Sequence, residues 1–237
     1  MAYRDHYAIR TPTNFGKGHK TRRYHNFLSE ALPYLNQQNC SVLDIKAGHG
    51  EFAEGCVNKN FEFCGIESND LMCNDLKRMG YNVVKTLIPP IPLSKNQFDL
   101  IFSCYVLESI NTPKEQYELL LECNRVLKPG GIILIVSRNY MRQGKYMYED
   151  SYTITNPTTE RRIHQLFFDT GFHLEKTRFV AGNLFGPLKI FAYLFYAIYH
   201  FSFWEKLFGY HNRLNSIFYK LRVSFPESII MIGRKGG

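Results

Sequence analysis

The sequence predicts an α/β protein built around a mostly parallel sheet of seven strands. Two observations support this fold class. From residue 40 onward, short apolar runs rich in β-formers alternate with stretches of helical periodicity, which is typical of βα units. The run 97–106 is almost continuously apolar, as expected for a strand that is covered on both faces of the sheet.

Each element has its own local signal. Thr112 and Pro113 are the residue types of an N-cap and a first helical position, and Gly80 is the type that ends a helix. The predicted strands are 40–45, 61–68, 81–86, 97–106, 131–139, about 173–180 and 227–235. The predicted helices are 51–60, 70–80, 112–127 and 158–172. The polar, tyrosine-rich residues 140–157 are expected to form a loop.

Composition and charge suggest three regions. With 237 residues, 45% apolar and 21% charged, the chain is neither disordered nor fibrous. We expect an N-terminal cap segment at 1–34, a core at 35–181 and 224–237, and an aromatic helical insert at 182–223 before the last strand.

The net charge of +8 is concentrated in two segments that flank the core. Residues 1–26 carry +5 and residues 180–222 carry +4, whereas residues 27–179 carry −2. This distribution indicates an acidic core flanked by two positively charged segments where an anionic group can dock. The alternative is that the positive charge serves only solubility. Nucleic acid is not the expected partner, because no binding module is appended and the aromatic residues do not alternate with basic ones.

The insert allows three interpretations. Residues 190–204 contain no charged side chain, but these 15 residues are fewer than the ~20 needed to span a bilayer. The insert is expected to form a lid over the substrate, a homodimer interface, or an amphipathic surface resting on anionic lipid. The chain starts without an apolar signal segment, and its six cysteines include no C-x-x-C pair. We therefore expect a cytoplasmic protein without a structural metal, with peripheral contact at the inner membrane face as an option.

A cofactor site is predicted where the first two strands end. The motif VLDIKAGHG at 42–50 places Asp44 at the end of a strand, before a turn of small residues that enters a helix. Glycine lets a ligand approach the backbone, and a helix N-terminus offers free N–H groups. Glu67 ends the next strand, where a carboxylate can accept both hydroxyls of a ribose. The two acids favour a nucleoside-type cofactor, and the missing G-x-G-x-x-G spacing disfavours a nicotinamide.

Four motifs occur in order along the chain: VLDIKAGHGEF, GIES, PPIPLSKNQFDLIFSCYVLESI and ECNRVLKPGGIILIVSRN. In this order they resemble the motifs of class I S-adenosylmethionine-dependent methyltransferases, especially the group that modifies small molecules, lipids and sugars. The resemblance covers about residues 35–180. It implies a Rossmann-like sheet with an antiparallel last strand, helices on both faces, and S-adenosylmethionine as the cofactor, with S-adenosylhomocysteine as its product.

The resemblance also implies which residues bind the cofactor. Asp44 would orient the methionyl end, and Glu67 would hold the ribose hydroxyls. Backbone of Ser103 and Cys104 would face the methionyl amino group and place Tyr105 near the methyl, although a small packed residue is the alternative for Cys104. The remaining implied contacts are Lys46, Ala47, Gly48, Ser68, Thr86 and Leu87.

Two positions depart from the family's pattern. Lys46 replaces the first glycine of D-x-G-x-G-x-G, and Ser109 stands where relatives often carry histidine after Leu-Glu. Because some relatives have alanine at the first position, we expect that Lys46 does not need a positive φ. Its side chain could reach the methionyl carboxylate. The competing interpretation is that cofactor binding has decayed and that the protein no longer catalyses a reaction.

The sequence does not single out a general base. His19 lies in the basic segment FGKGHKTRR, which in relatives often folds over the cofactor, and a solvated surface histidine is the alternative. Tyr105 and Arg138 lie at the ends of predicted strands, where open α/β sheets bind ligands. Arg138 could hold a phosphate or carboxylate of the acceptor, or be a plain surface residue. His164 is expected to be structural.

The predicted reaction is transfer of a methyl group to a hydroxyl of a small or glycan-type anionic acceptor, such as a sugar, a sugar phosphate or a nucleotide-linked sugar. A lipid or quinone-like acceptor at a membrane surface is the alternative enzyme. A non-catalytic cofactor-binding protein is the alternative of a different class.

Overall fold

One seven-stranded sheet organises the computed structural model, which describes residues 5–9, 14–35, 39–144, 147–181 and 227–236. Its strands are β1 (Ser41–Ile45), β2 (Glu62–Glu67), β3 (Asn82–Lys85), β4 (Phe98–Cys104), β5 (Leu127–Arg138), β6 (Phe172–Ala181) and β7 (Glu227–Lys235). They lie in the order β3-β2-β1-β4-β5-β7-β6. Strands β1 to β5 are parallel, and β7 runs antiparallel between β5 and β6. The predicted Rossmann-like sheet with an antiparallel last strand is confirmed.

Helices cover both faces of the sheet. They are α1 (Asp5–Ile9), α2 (Asn14–Ala31), α3 (Glu51–Val57), α4 (Asp70–Arg78), α5 (Pro113–Val126), α6 (Tyr140–Gln143), α7 (Met147–Asp150) and α8 (Glu160–Asp169). Successive residues of a strand point to opposite faces. Leu43 and Ile133 therefore join the apolar cluster beneath α5 and α8, whereas Val42 and Ile132 join the cluster beneath α2 and α3.

Aromatic side chains hold the N-terminal helix α2 against the sheet. Phe52 of α3 stacks on Phe102 of β4 with ring centroids 3.8 Å apart. Tyr24 of α2 meets Phe102 edge-on at 5.9 Å, and Phe27 of α2 is fully buried beside them. Because edge-to-face and stacked pairs add to the stabilisation from burial, α2 is a fixed part of the core and brings its neighbouring residues to the sheet.

Most predicted strands match the structure to within two residues at each end. Strand β5 is the exception, since it begins at Leu127 rather than residue 131. Leu127 pairs with Phe98 before a register shift, after which Leu100 pairs with Ile132. The helix predicted at 51–60 ends earlier, at Val57, because the chain turns there through residues 58–60.

The expected loop at 140–157 is wrong in part, because this stretch contains α6 and α7. The side chain of Asn139 caps α6 by accepting a hydrogen bond from the Met141 N–H. Gln143 at the end of α6 donates to the carbonyl oxygen of Glu227 on β7. The short helix is thus held by a cap and by a strand 84 residues away in sequence.

The predicted insert at 182–223 lies outside the described residues, and the boundaries of the three predicted regions stay predictions. In the part of the chain that the structure describes, no helix combines the length and the apolar character needed to cross a membrane.

Candidate active site

The parallel strands end at one edge of the sheet, here called the carboxyl edge. Strand β1 lies between β2 and β4. The chain leaves β1 for α3 on one face and leaves β4 for α5 on the other, as the two apolar clusters show. Because these connections diverge, a crevice opens between the ends of β1 and β4, which is where open α/β sheets bind ligands.

Asp44 lies at the end of β1 and is only 2% exposed. Burial, reinforced by the negative charges of Glu67 and Glu51, raises its pKa well above the ordinary value. Within the described residues, no hydrogen-bond donor reaches its carboxylate. A buried carboxylate without a partner is costly, so this position favours a positively charged ligand. It fits the amino group and sulfonium of the cofactor that the resemblance implies.

The turn after β1 passes through the left-handed region of backbone conformation. Gly48 has φ +59°, and an added Cβ at that position would meet no atom closer than 3.8 Å. Lys46 has φ +64°, so the expectation that this position does not need a positive φ is wrong. The turn keeps the left-handed conformation that favours glycine, although its first residue is a lysine. Ala47 is buried, and its N–H donates to the carbonyl of Ile66 at 3.0 Å.

The carboxylate of Glu67 organises the same turn. It is fully buried at the end of β2 and accepts hydrogen bonds from three backbone N–H groups. These belong to Gly48 at 3.1 Å, Ser68 at 2.8 Å and Asn69 at 3.0 Å. Glu67 therefore joins the turn after β1 to the turn after β2, a structural role that the sequence did not predict. Its contact with a ribose stays a prediction.

The other predicted cofactor residues lie at neighbouring strand ends. Thr86 follows β3, where its N–H donates to the Glu67 carbonyl, and Leu87 beside it is 74% exposed. Ser103 and Cys104 end β4, next to β1. Burial raises the pKa of the Cys104 thiol to about 12, so the thiol stays protonated at neutral pH.

Lys46 and Ser109, the two departures from the family's pattern, contact each other. The ammonium of Lys46 donates a hydrogen bond to Ser109 Oγ, which donates to the Val106 carbonyl at 2.7 Å. This contact joins the turn after β1 to the short 3-10 helix (Leu107–Ser109) after β4. The lysine therefore spans the crevice between the two strands. The predicted contact of Lys46 with the methionyl carboxylate is not tested.

Tyr105 and Arg138 come together at the ends of β4 and β5. The Arg138 guanidinium lies 5.3 Å from the centroid of the Tyr105 ring, and its Nε lies 3.8 Å from Glu108. Arg23 of α2 approaches the same ring at 5.2 Å. Burial raises the pKa of Glu108, which opposes its ionisation beside these cations. The sequence pointed to Tyr105 and Arg138 but missed Arg23, for which its only signal was the basic character of residues 1–26.

Helix α1 reaches two loops of the carboxyl edge. Asn69, after β2, donates to Asp5 at 3.0 Å, while the ring of His6 lies 5.2 Å from that of Tyr152. Helix α1 thus joins the turn after β2 to the connection between β5 and α8. His19 lies on α2, but its side chain is outside the described residues, and His164 is exposed on α8.

Comparison with known proteins finds similarity to methyltransferases. Residues 43–135 match the family model of a methyltransferase domain. The demethylmenaquinone methyltransferase of Renibacterium salmoninarum is 24% identical over 129 residues, which are 54% of this chain and 52% of that protein. The chain thus spans about half the length of this curated relative.

Solved structures share the fold at low identity. A Haloferax volcanii chain described as a methyltransferase, in complex with the Trm112 methyltransferase activator, superposes with a TM-score of 0.68 at 14% identity over 100% of both chains. Phosphoethanolamine N-methyltransferase 2 of Haemonchus contortus, in complex with phosphomonomethylethanolamine and S-adenosylhomocysteine, gives a TM-score of 0.63 at 16% identity. The match covers 91% of this chain and 53% of that one. Likeness at this level of identity establishes the fold.

Proposed function

We propose that the chain, whose residues 43–135 match the family model of a methyltransferase domain, is a class I S-adenosylmethionine-dependent enzyme that methylates a hydroxyl of a small or glycan-type anionic acceptor. The cofactor supplies a methyl group on a positively charged sulfur, and its transfer forms one C–O bond, breaks one C–S bond and releases the hydroxyl proton. The protein must align the acceptor, exclude water and accept that proton.

The cofactor-binding roles are assigned mainly to the ends of β1 and β2, which carry Asp44 and Glu67, together with the neighbouring end of β4. Asp44 orients the methionyl end, and Glu67 holds the ribose while keeping the Gly48 turn in place. The backbone of Ser103 and Cys104 faces the methionyl amino group. The remaining contacts are assigned to Lys46, Ala47, Ser68, Thr86 and Leu87.

One observation carries the choice of an anionic acceptor: charge is divided along the carboxyl edge. The ends of β1 and β2 carry Asp44 and Glu67, whose mutual repulsion contributes to the raised pKa of Asp44. The ends of β4 and β5 instead present Arg138 beside Tyr105. A cationic cofactor on the first half and an anionic acceptor on the second would each meet the opposite charge. Tyr105, Arg138 and His19 are the proposed catalytic residues.

Calorimetric titration of the full chain with S-adenosylhomocysteine tests the cofactor assignment. We expect saturable binding, and a protein that binds neither this compound nor S-adenosylmethionine would overturn the proposal. A loss of affinity in Glu67→Ala alone would not prove a ribose contact, because that variant also frees three backbone N–H groups.

A double-mutant cycle separates these two roles of Glu67. The ligand arm compares S-adenosylhomocysteine with its 2′,3′-dideoxy analogue. We expect the analogue to bind wild type at least tenfold more weakly, from lost hydrogen bonds to a charged group, and to bind Glu67→Ala almost as well as the parent compound. Equal losses in both proteins would refute the ribose contact. Glu62→Ala, at the opposite end of the same strand, is the matched control and should behave as wild type.

A lipid or quinone-like acceptor is the second candidate, and the name of the curated relative favours it. In this case the protein would work at the inner face of a membrane, with residues 182–223 on the lipid. Co-sedimentation with anionic vesicles discriminates between the two acceptor classes, because the first candidate does not require vesicle binding. A non-catalytic protein would retain the cofactor and form no methylated product from a cell extract.

A further inference from the structure

Two arginines that are distant in sequence converge on one tyrosine. Arg23 comes from α2 and Arg138 from the end of β5, and both guanidinium carbons lie within 5.3 Å of the Tyr105 ring centroid. The Tyr105 hydroxyl and Ser228 Oγ are hydrogen-bonded at 2.9 Å, which adds β7 to the cluster. Tyr105 itself has φ +55°, an unusual conformation for an aromatic residue. Four separate elements therefore build this one site.

Counted over the described residues, the cluster carries more positive than negative charge. Arg138 has Glu108 at 3.8 Å, but among the described residues no carboxylate lies within ion-pair distance of Arg23. The contact of Arg23 with Ser228 is long, at 3.5 Å, and the buried Nε of Arg23 has no hydrogen-bond partner in the described part of the chain. A guanidinium cannot lose its charge in a protein, so the burial of Arg23 costs free energy. Its unused N–H groups can still donate hydrogen bonds.

Burial is the main cause that lowers the pKa of Arg23, and the positive charge of Arg138 makes a smaller contribution in the same direction. The two cations are thus close enough to repel each other. A bound anion would relieve both the repulsion and the missing hydrogen bonds. Guanidinium groups match oxyanions especially well, because their planar donors pair with two oxygens at once.

We propose that Arg23, Arg138 and Tyr105 form a subsite for the phosphate or carboxylate group of the acceptor. The inference rests on the proposed function and names the recognition element for its substrate. The same chemistry would also suit the carboxylate of the cofactor, so the test must separate the two sources. The subsite lies at the ends of β4 and β5, on the far side of Tyr105's strand from Asp44 and Glu67. This placement favours the acceptor.

The first measurement is calorimetric titration of inorganic phosphate into the full chain, with and without saturating S-adenosylhomocysteine. We expect phosphate to bind wild type and to bind Arg23→Gln at least tenfold more weakly, since a charged hydrogen bond is lost. Arg23→Lys should recover part of the affinity. Arg22→Gln removes the exposed neighbouring charge on the same helix and should stay within twofold of wild type. Absence of phosphate binding to wild type, or equal losses in the Arg22 and Arg23 variants, would overturn the subsite.

The second measurement identifies the source of the anion. Each protein is titrated with S-adenosylhomocysteine and with 5′-methylthioadenosine, which lacks the amino-acid carboxylate. Unchanged affinity of Arg23→Gln for both compounds supports the acceptor assignment and shows that the variant is folded. A selective loss for S-adenosylhomocysteine would assign the guanidinium to the cofactor and overturn the proposal. If wild type binds phosphate but neither nucleoside, the proposed function fails while the anion subsite stands.

Discussion

Lys46 offers a direct test of the geometry of the turn after β1. A residue other than glycine in the left-handed region costs roughly 1–2 kcal/mol, and glycine offsets about 0.5–1 kcal/mol of that difference by its greater chain entropy when unfolded. At φ +64°, glycine should therefore be more stable than alanine by about 0.5–1 kcal/mol. Both variants lose the hydrogen bond from the ammonium to Ser109, so this term cancels between them.

Among the contacts of Lys46 that the structure describes, the lost hydrogen bond to Ser109 determines how each variant compares with wild type. A bond to a charged group contributes about 1.5–3 kcal/mol, and partial exposure of Lys46 places it near the lower end of that range. We expect Lys46→Ala to be about 1.5 kcal/mol less stable than wild type, and Lys46→Gly about 0.5–1 kcal/mol less stable. Urea unfolding of the cofactor-free protein measures both values, provided that the slopes of the transitions agree.

Lys77 supplies the control, because it is exposed on the right-handed helix α4. There the order should reverse, with Lys77→Gly less stable than Lys77→Ala by about 1 kcal/mol. An alanine at position 46 that is as stable as glycine would refute the left-handed turn. Titration with S-adenosylhomocysteine adds a functional result, since only a lysine that binds the methionyl carboxylate would make both Lys46 variants bind at least tenfold more weakly.

Two further predictions concern stability. Asp44→Asn removes the buried negative charge, so it should stabilise the cofactor-free protein at pH 7 and abolish cofactor binding. Urea unfolding measures the stability and calorimetry measures the binding. A fall in stability would contradict the prediction. Since the folded pKa of Asp44 is raised, the cost of ionisation is absent below the ordinary pKa of ~4 and grows as the pH rises, so the gain in Asp44→Asn should shrink from pH 7 towards pH 4. Thr112→Ala should cost about 1 kcal/mol by removing the capping box of α5, with Thr112→Ser close to wild type and cofactor affinity unchanged in both.

The sheet could be predicted because each of its strands is indicated by residues that are neighbours in the sequence. Strand residues alternate or run apolar over short stretches, and the connecting helix α5 carries its own start signals in Thr112 and Pro113. The predictions that were wrong concern elements whose position depends on residues distant in the sequence. The start of β5 at Leu127 follows from its pairing with Phe98, and α6 is held by the carbonyl of Glu227. Neither partner can be read from the segment itself.

The residues of the candidate site also divide into those that the sequence could place and those that it could not. Asp44 and Glu67 could be placed together because parallel neighbouring strands end at the same edge, so their positions follow from the order of the motifs. The Arg23 contact with Tyr105 could not, since α2 precedes the sheet and nothing in its sequence says which strand end it meets. The positive φ of Lys46 was missed for another reason. The alanine found at this position in some relatives argued against it, whereas the Gly48 N–H of the same turn is tied to Glu67, a residue of another strand.

The contact between Lys46 and Ser109 bears on whether the departure at the first glycine argues for lost activity. Considered alone, a lysine in this turn would put a charged side chain beside the binding crevice. Its ammonium, however, has a partner in Ser109, at the second position that departs from the pattern. A hydroxyl there can accept from the ammonium while donating to Val106, whereas an imidazole nitrogen that accepts from the ammonium cannot also donate to that carbonyl. Because the two changes compensate each other, Lys46 favours a crevice that still binds the cofactor over one that has lost this binding. If the compensation is real, Ser109→His should destabilise the protein more in the presence of Lys46 than in Lys46→Gly.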